Sequence, residues 1–348
     1  MKRYLLALAT GLVMFTACED ENKVITNAQD QAVDVDMSDF YTYTHDDTDG
    51  RSALGGKMCH SMKVLNRQLE ENPNLHKHLY DVEYNVRKFV AAKKPSKPGD
   101  GGGEPVDDGL GAINIPVYVH VIYSNSQENI SDAQINSQIS VLNKDFNKSN
   151  SDLNLVPAEF VDRIADVDIN FTLVGVTRKQ SSRTSWGTRD EMKYASNGGV
   201  SVVNPSGALN IWVCNIGGGI LGYAQFPGGA SATDGVVISP QYFGTTGFVS
   251  APFNKGRTAT HEVGHYLNLR HIWGDGRCRQ DDFVADTPTS DAPNYGCPSY
   301  PTVNCRSTDM TMNYMDYTDD ACMQMFSVGQ KTRMRALFAP GGARDSFL

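Results

Sequence analysis

Apolar and polar positions alternate from Ile113 through Ile115, Val117, Val119 and Val121 to Tyr123, the period-two signature of a strand with one buried face. The period then lengthens: Ile135, Ile139, Leu142 and Phe146 share one face of a helix that begins at Ser131, with Gln134 completing a capping box. Val167, Ile169, Phe171 and Leu173 predict a second strand, and residues 209–216 and 236–239 two more. The stretch GRTATHEVGHYLNLR, residues 256–270, supplies a central helix, and another spans residues 328–338 with Ser327 as its N-cap. The early alternation of strands and helices places residues 110–348 in the α/β (α+β) class, and no internal repeat is visible.

Upstream the spacing is helical only. Met62, Leu65 and Leu69 recur up to Pro73, and Leu75, Leu79, Val82, Val86 and Val90 do so after it, so residues 51–92 predict a small helical unit. Its apolar faces are too few for an independent core, and it is expected to pack on the larger domain. KKPSKPGDGGGEPVDDG, residues 93–109, joins the two as a flexible linker, because proline and consecutive glycines deny it regular structure.

Charge changes the picture only at the N-terminal end. The 348 residues carry a net charge of −9, and residues 19–50 alone hold ten acidic side chains and one lysine. Residues 18–50 therefore read as a disordered, hydrated tether, while the remainder is balanced and offers no basic patch to nucleic acid. Before them, residues 1–17 combine a basic start with an apolar run from Tyr4 to Phe15, a secretion signal too short to span a bilayer. Its end, Phe15-Thr16-Ala17-Cys18, resembles a bacterial lipobox, which implies cleavage before Cys18 and lipidation of that residue. The chain is thus expected to be exported and held at the cell envelope by a lipid anchor.

Candidate chemistry concentrates in HEVGHYLNLRH, residues 261–271, which contain three of the four histidines after Gly109. His261 and His265 lie one helical turn apart on one face, so both imidazoles can reach a single metal ion, and zinc suits them. Glu262 comes close to that ion without ligating it and can take a proton from a water there. His271 is too far along a continuous helix to join them, so the chain must turn after Leu267. Such a stop needs a residue in the left-handed region, where asparagine is second only to glycine, and Asn268 stands at that point.

These residues resemble the extended zinc signature of the metzincin peptidases, with Asn268 replacing the usual glycine, and NYMDY, residues 313–317, resembles their Met-turn. HIWGDG, DDFVADTP and the cysteine layout narrow the resemblance to the pappalysin family, over about residues 113–338 and more weakly in the helical unit. It implies a zinc endopeptidase with a twisted, mostly parallel sheet, an active-site helix, an irregular disulfide-stapled C-terminal subdomain and a small helical propeptide. It further implies zinc on His261, His265 and His271, Glu262 as general base and Met315 as an apolar floor. Tyr317 would donate a hydrogen bond to the forming oxyanion.

Cys278, Cys297, Cys305 and Cys322 cluster near this region in an exported chain, which argues for disulfides with three possible pairings. The family resemblance implies Cys278–Cys305 and Cys297–Cys322. Cys214 is expected mid-strand as a buried free thiol. Cys59 follows Gly55-Gly56, and its thiolate can fill a metal's open position, similar to the cysteine-switch latency of pappalysin precursors. In the acidic loop, the resemblance implies calcium at Asp282 and Thr287. Asp319 or Asp320 is expected to favour Arg or Lys after the cut bond, similar to the basic preference of some pappalysins. The expected partners are protein or peptide substrates. The competing reading is a catalytically silent surface lipoprotein that keeps the fold as a binding module, which has no use for Glu262 and Tyr317.

Overall fold

A computed structural model describes residues 35–44, 59–93 and 107–348. The signal segment, Cys18, Gly55-Gly56, residues 45–50 of the expected tether and residues 94–106 of the expected linker lie outside the described residues.

The strands form one five-stranded sheet. β1 (Ile113–Tyr123) pairs in parallel with β2 (Ile169–Gln180) on one side and β3 (Leu209–Val213) on the other. β3 continues in parallel to β5 (Val236–Ile238), and β4 (Gly222–Ala224) closes the far edge antiparallel to β5. The alternating residues of β1 from Ile113 to Val121 are all fully buried, and Tyr123 at its end is partly exposed. They meet Ile135, Leu142 and Phe146 of α3 (Asp132–Phe146) in the core that also receives Val263 and Tyr266 of α4 (Arg257–Tyr266). Burying each such side chain contributes about 1.5–3 kcal/mol. This core sets α4 beneath the sheet with every residue of the helix buried.

Three local expectations are corrected. Ser131 caps α3 by accepting from the Gln134 amide at 3.1 Å, but no reciprocal bond forms. The Gln134 side chain instead donates to the carbonyls of Pro240, Phe243 and Phe248, a loop the sequence spacing does not reveal. β3 ends at Val213, so the buried free thiol of Cys214 lies just beyond the strand. The acidic segment is not wholly a hydrated tether either. Tyr41 places its hydroxyl 2.5 Å from the Gly274 carbonyl and 2.8 Å from that of Asp281, and Phe40 meets Tyr80 edge-on. Aromatic residues in a polar run give it something to bury, which counting charges overlooks.

The C-terminal part carries a two-stranded ribbon, β6 (Val303–Asn304) with β7 (Ser307–Thr308), and ends in α5 (Val328–Ala336). α5 has the full capping box between Ser327 and Gln330. Cys278 is bridged to Cys305 and Cys297 to Cys322, which staples the irregular segment between α4 and α5.

The helical unit forms α1 (Ser61–Glu71) and α2 (Leu75–Ala92), and it borrows its core. Leu65, Leu69, Leu75 and Leu79 close over Phe226, while Val82 and Val86 enter the main core. Polar groups reinforce the seam, where Glu83 of α2 pairs with Arg333 of α5 at 2.8 Å, both almost fully buried. Burial pushes the Glu83 carboxyl up, but Arg333 and Arg87 outweigh it and hold the group at about 2, below its ordinary 4.5. A depressed carboxylate contributes stability in full above about pH 4.5 and loses it as the pH falls towards about 2. Over that window the unfolding free energy of the wild type should fall more steeply than that of Glu83→Gln. Parallel acid profiles from chemical denaturation would show that the pair does not contribute. Glu83→Ala, which leaves buried Arg333 with only the carbonyls of Phe283 and Asn268 in place of its carboxylate, should cost about 3–5 kcal/mol.

Candidate active site

The site begins with how α4 stops. Asn268 has φ of 68°, the left-handed conformation, and two hydrogen bonds close the helix around it. The Leu269 amide donates to Gly264 and the Asn268 amide to His265, both at 2.9 Å, the paired bonds of a Schellman ending. The chain therefore swings back, and the Nε2 atoms of His261 and His271 come within 3.2 and 3.1 Å of His265 Nε2. Asn268→Gly should keep stability within about 1 kcal/mol, whereas a β-branched Asn268→Val should lose about 1–2 kcal/mol. Thermal denaturation of the two variants checks this, and equal losses would show that backbone conformation is not what the position requires.

The outer nitrogens of the three rings are all engaged. His261 Nδ1 lies 2.7 Å from the Tyr314 carbonyl, His265 Nδ1 2.8 Å from that of Leu269, and His271 Nδ1 2.5 Å from Asp275 Oδ1. An Nδ1 that donates leaves Nε2 as a bare lone pair. Three lone pairs facing one another at this distance repel unless a cation lies among them, and neutral imidazoles with a thiol suit zinc. Cys59 completes the set, its sulfur and the three ring nitrogens all lying within 4.8 Å of one another.

Packing beneath the rings is tight. A Cβ on Gly264 would stand 2.4 Å from Met315 Sδ, so the glycine in HEVGH admits the buried methionine under the histidines. Trp273 stacks on His271 with centroids 4.3 Å apart. Asp275, missed in the sequence, orients His271 from four residues on, and burial pushes its carboxyl up to about 7 against the pull of Arg270. An acid one turn past the third histidine was the available signal.

Above the rings runs the segment ahead of α1. Cys59 bridges Gly222 of β4 in parallel fashion, and the His60 amide donates to the Gly222 carbonyl at 3.1 Å. Gly222 lets the edge strand lie close to the helix, since a Cβ there would crowd Glu262 at 3.0 Å. The Tyr317 hydroxyl donates to the Cys59 carbonyl at 3.3 Å. Burial, then the nearby Glu262 carboxylate, push the Cys59 thiol well above the ordinary range. A second residue that the sequence did not single out is Ser61. Its hydroxyl donates to Glu262 Oε2 at 2.7 Å and accepts from the Ala224 amide of β4 at 2.8 Å.

The other candidates fall outside this cluster. Asp282 is buried, with Thr287 Oγ1 2.9 Å from each of its carboxylate oxygens, and burial and Asp281 push it well above the carboxylate range. The Asp320 carboxylate is buried, and its Oδ2 accepts from the amides of Lys255 and Arg257, which steadies the start of α4. Asp319 keeps a partly exposed side chain.

Comparison with known proteins agrees with this geometry. The model of the M43 peptidase family, described as pregnancy-associated plasma protein-A, matches residues 204–339. An extracellular metalloprotease of Arthroderma otae is 34% identical over 244 residues, 67% of this chain and 80% of the relative. This chain belongs to the pappalysin family. Mature mirolysin of Tannerella forsythia, solved with a cleaved peptide, shares 47% identity at a TM-score of 0.67, covering 68% of this pappalysin and 95% of mirolysin. A Tannerella forsythia promirolysin mutant extends the match to 84% of this chain and 97% of that one, at 40% identity and a TM-score of 0.73. The pappalysin described here is a secreted zinc endopeptidase made as a latent precursor.

Proposed function

We propose that His261, His265 and His271 hold the zinc ion, that Glu262 is the general base, and that residues 51–92 are the propeptide that keeps the enzyme latent. The observation that carries this reading is the convergence of three Nε2 atoms and the Cys59 sulfur, with Glu262 Oε2 3.4 Å from that sulfur. Zinc, when bound, supplies a Lewis acid that lowers the pKa of a water and polarises a carbonyl. Glu262 accepts the proton of the attacking water and delivers it to the leaving amine. Tyr317, already bonded to the Cys59 carbonyl, gives the same hydroxyl to the scissile carbonyl as negative charge develops there. β4 aligns the substrate backbone along its free edge.

In the precursor, Cys59 and Ser61 take these positions themselves. The thiol lies beside the three ring nitrogens, where it would take the ion's remaining position, and the Ser61 hydroxyl donates to Glu262 as the attacking water would. Protein or peptide substrates enter once that segment leaves. Cleavage in residues 93–109 would separate it from the catalytic part, residues 110–348. A silent binding module would need neither Glu262 nor Tyr317, and both are in place.

The test is cleavage of a mixed peptide library by the activated protein, with a chelator and then with zinc restored. Chelator-insensitive cleavage, or none under any activation, would overturn the reading. Three finer assignments belong with it: lipid on Cys18, calcium on the oxygens of Asp282 and Thr287, and a basic preference after the cut bond set by Asp319 or Asp320. Mass spectrometry of the precursor's N-terminus, metal analysis and the library's cleavage profile decide them in turn. An unmodified Cys18, zinc alone, or a profile indifferent to Arg and Lys would each remove one.

A further inference from the structure

One buried carboxylate of the catalytic part faces the propeptide and takes no part in the chemistry above. Asp190 is 4% exposed and has φ of 62°, a conformation uncommon for a residue with a side chain. Its Oδ1 accepts from Lys193 Nζ at 2.9 Å and from the Tyr223 hydroxyl at 3.1 Å. Oδ2 accepts from Arg67 Nη2 at 3.1 Å. Lys193 is held away from the opening, since it also donates to the Thr233 carbonyl and lies over the rings of Trp212 and Tyr223. Thus Lys193 and Tyr223, which serve Oδ1, belong to the catalytic part, and Arg67, which serves Oδ2, belongs to α1. A crevice of about 220 Å³ surrounds the pair, lined by Gln68 of α1 and Leu75 of α2 together with Tyr194 and Thr233 of the catalytic part.

We infer that Asp190 anchors a substrate subsite for a basic side chain, which Arg67 occupies in the precursor. This rests on reading α1 as part of a removable propeptide. The placement is what a substrate would require. Cys59 and Gly222 mark the cleft edge, and Tyr223, the next residue of β4, reaches from that edge to Asp190. From Ser61 to Arg67 the helix rises about 9 Å, which an extended peptide covers in about three residues. When α1 leaves, Oδ2 loses the guanidinium and opens onto the crevice, and an arginine or lysine of the substrate restores the bond. Of the neighbouring charges, Glu191 faces Arg183, while the exposed Arg189 on the rim of the same crevice bonds Glu71 of α1 and loses that partner when α1 leaves, so the arginine advantage should also be measured in Arg189→Gln, where it should persist.

The experiment uses the activated enzyme and peptides in which one arginine is moved through the positions flanking the cut bond, with norleucine as the neutral reference. At about the third position, arginine should improve KM by about 10–150-fold, and Asp190→Asn should bring that ratio to about one. Should Asp190→Asn not fold, the wild type suffices: N-acetyl-arginine amide should compete with the arginine peptide, and the neutral citrulline analogue should not. The inference is overturned if no position shows an arginine advantage that depends on Asp190, or if both amides compete equally. Chelator-sensitive cleavage of the norleucine peptide by the wild type reports on the endopeptidase reading separately.

Discussion

Glu262→Ala leaves the zinc content of the activated enzyme unchanged and lowers turnover by about 10²–10⁴-fold. The separation follows from the geometry. The three Nε2 atoms converge without help from Glu262, whose carboxylate is directed at Ser61 and Cys59 rather than at the outer nitrogens of the rings. Tyr314, Leu269 and Asp275 orient the histidines. Removing the base therefore deletes proton transfer and spares the ligand set. Metal analysis beside steady-state kinetics checks both halves, and a variant that loses its zinc would make Glu262 a structural member of the site.

Opening the latch should have an effect of comparable size. Cys59→Ala in the intact precursor is expected to cleave peptides before any cut in the chain, because no other cysteine joins the three imidazoles among the described residues. Ser61→Ala should loosen the latch without removing it. A hydrogen bond to a charged group is worth about 1.5–3 kcal/mol, so its loss raises the open fraction by about 10–150-fold. The alkylation rate of Cys59 in unprocessed precursor reads this directly, apart from activity. A Cys59→Ala precursor as silent as the wild type would mean that the cleft is closed by bulk alone.

What could be read in the sequence, and what could not, divides by range. The histidine spacing and the turn at Asn268 are local facts, fixed by helix geometry and by what asparagine's backbone tolerates, and they placed the candidate zinc ligands. Ser61 was illegible because its partner lies 201 residues away and a serine beside a cysteine carries no pattern of its own. β4 escaped notice because three residues led by glycine have no period to detect. The amides of Lys255 and Arg257 that Asp320 accepts from were illegible for the same reason as the partner of Ser61, since they lie 65 and 63 residues away.

The seam between the helical hairpin and the rest has a kinetic consequence. Glu83 with Arg333 and Arg67 with Asp190 bind in opposite polarity across it, and Tyr41 grips the loop beyond His271. A single cut in residues 93–109 severs none of these. With residues 51–92 as the propeptide proposed above, the cut would convert a tethered inhibitor, present at millimolar effective concentration, into a free one that departs at its own dissociation rate. Activity should then appear after a lag set by that rate, and more completely in dilute than in crowded surroundings. An enzyme cut at a crowded envelope would stay restrained until it diffused away from its own severed propeptide.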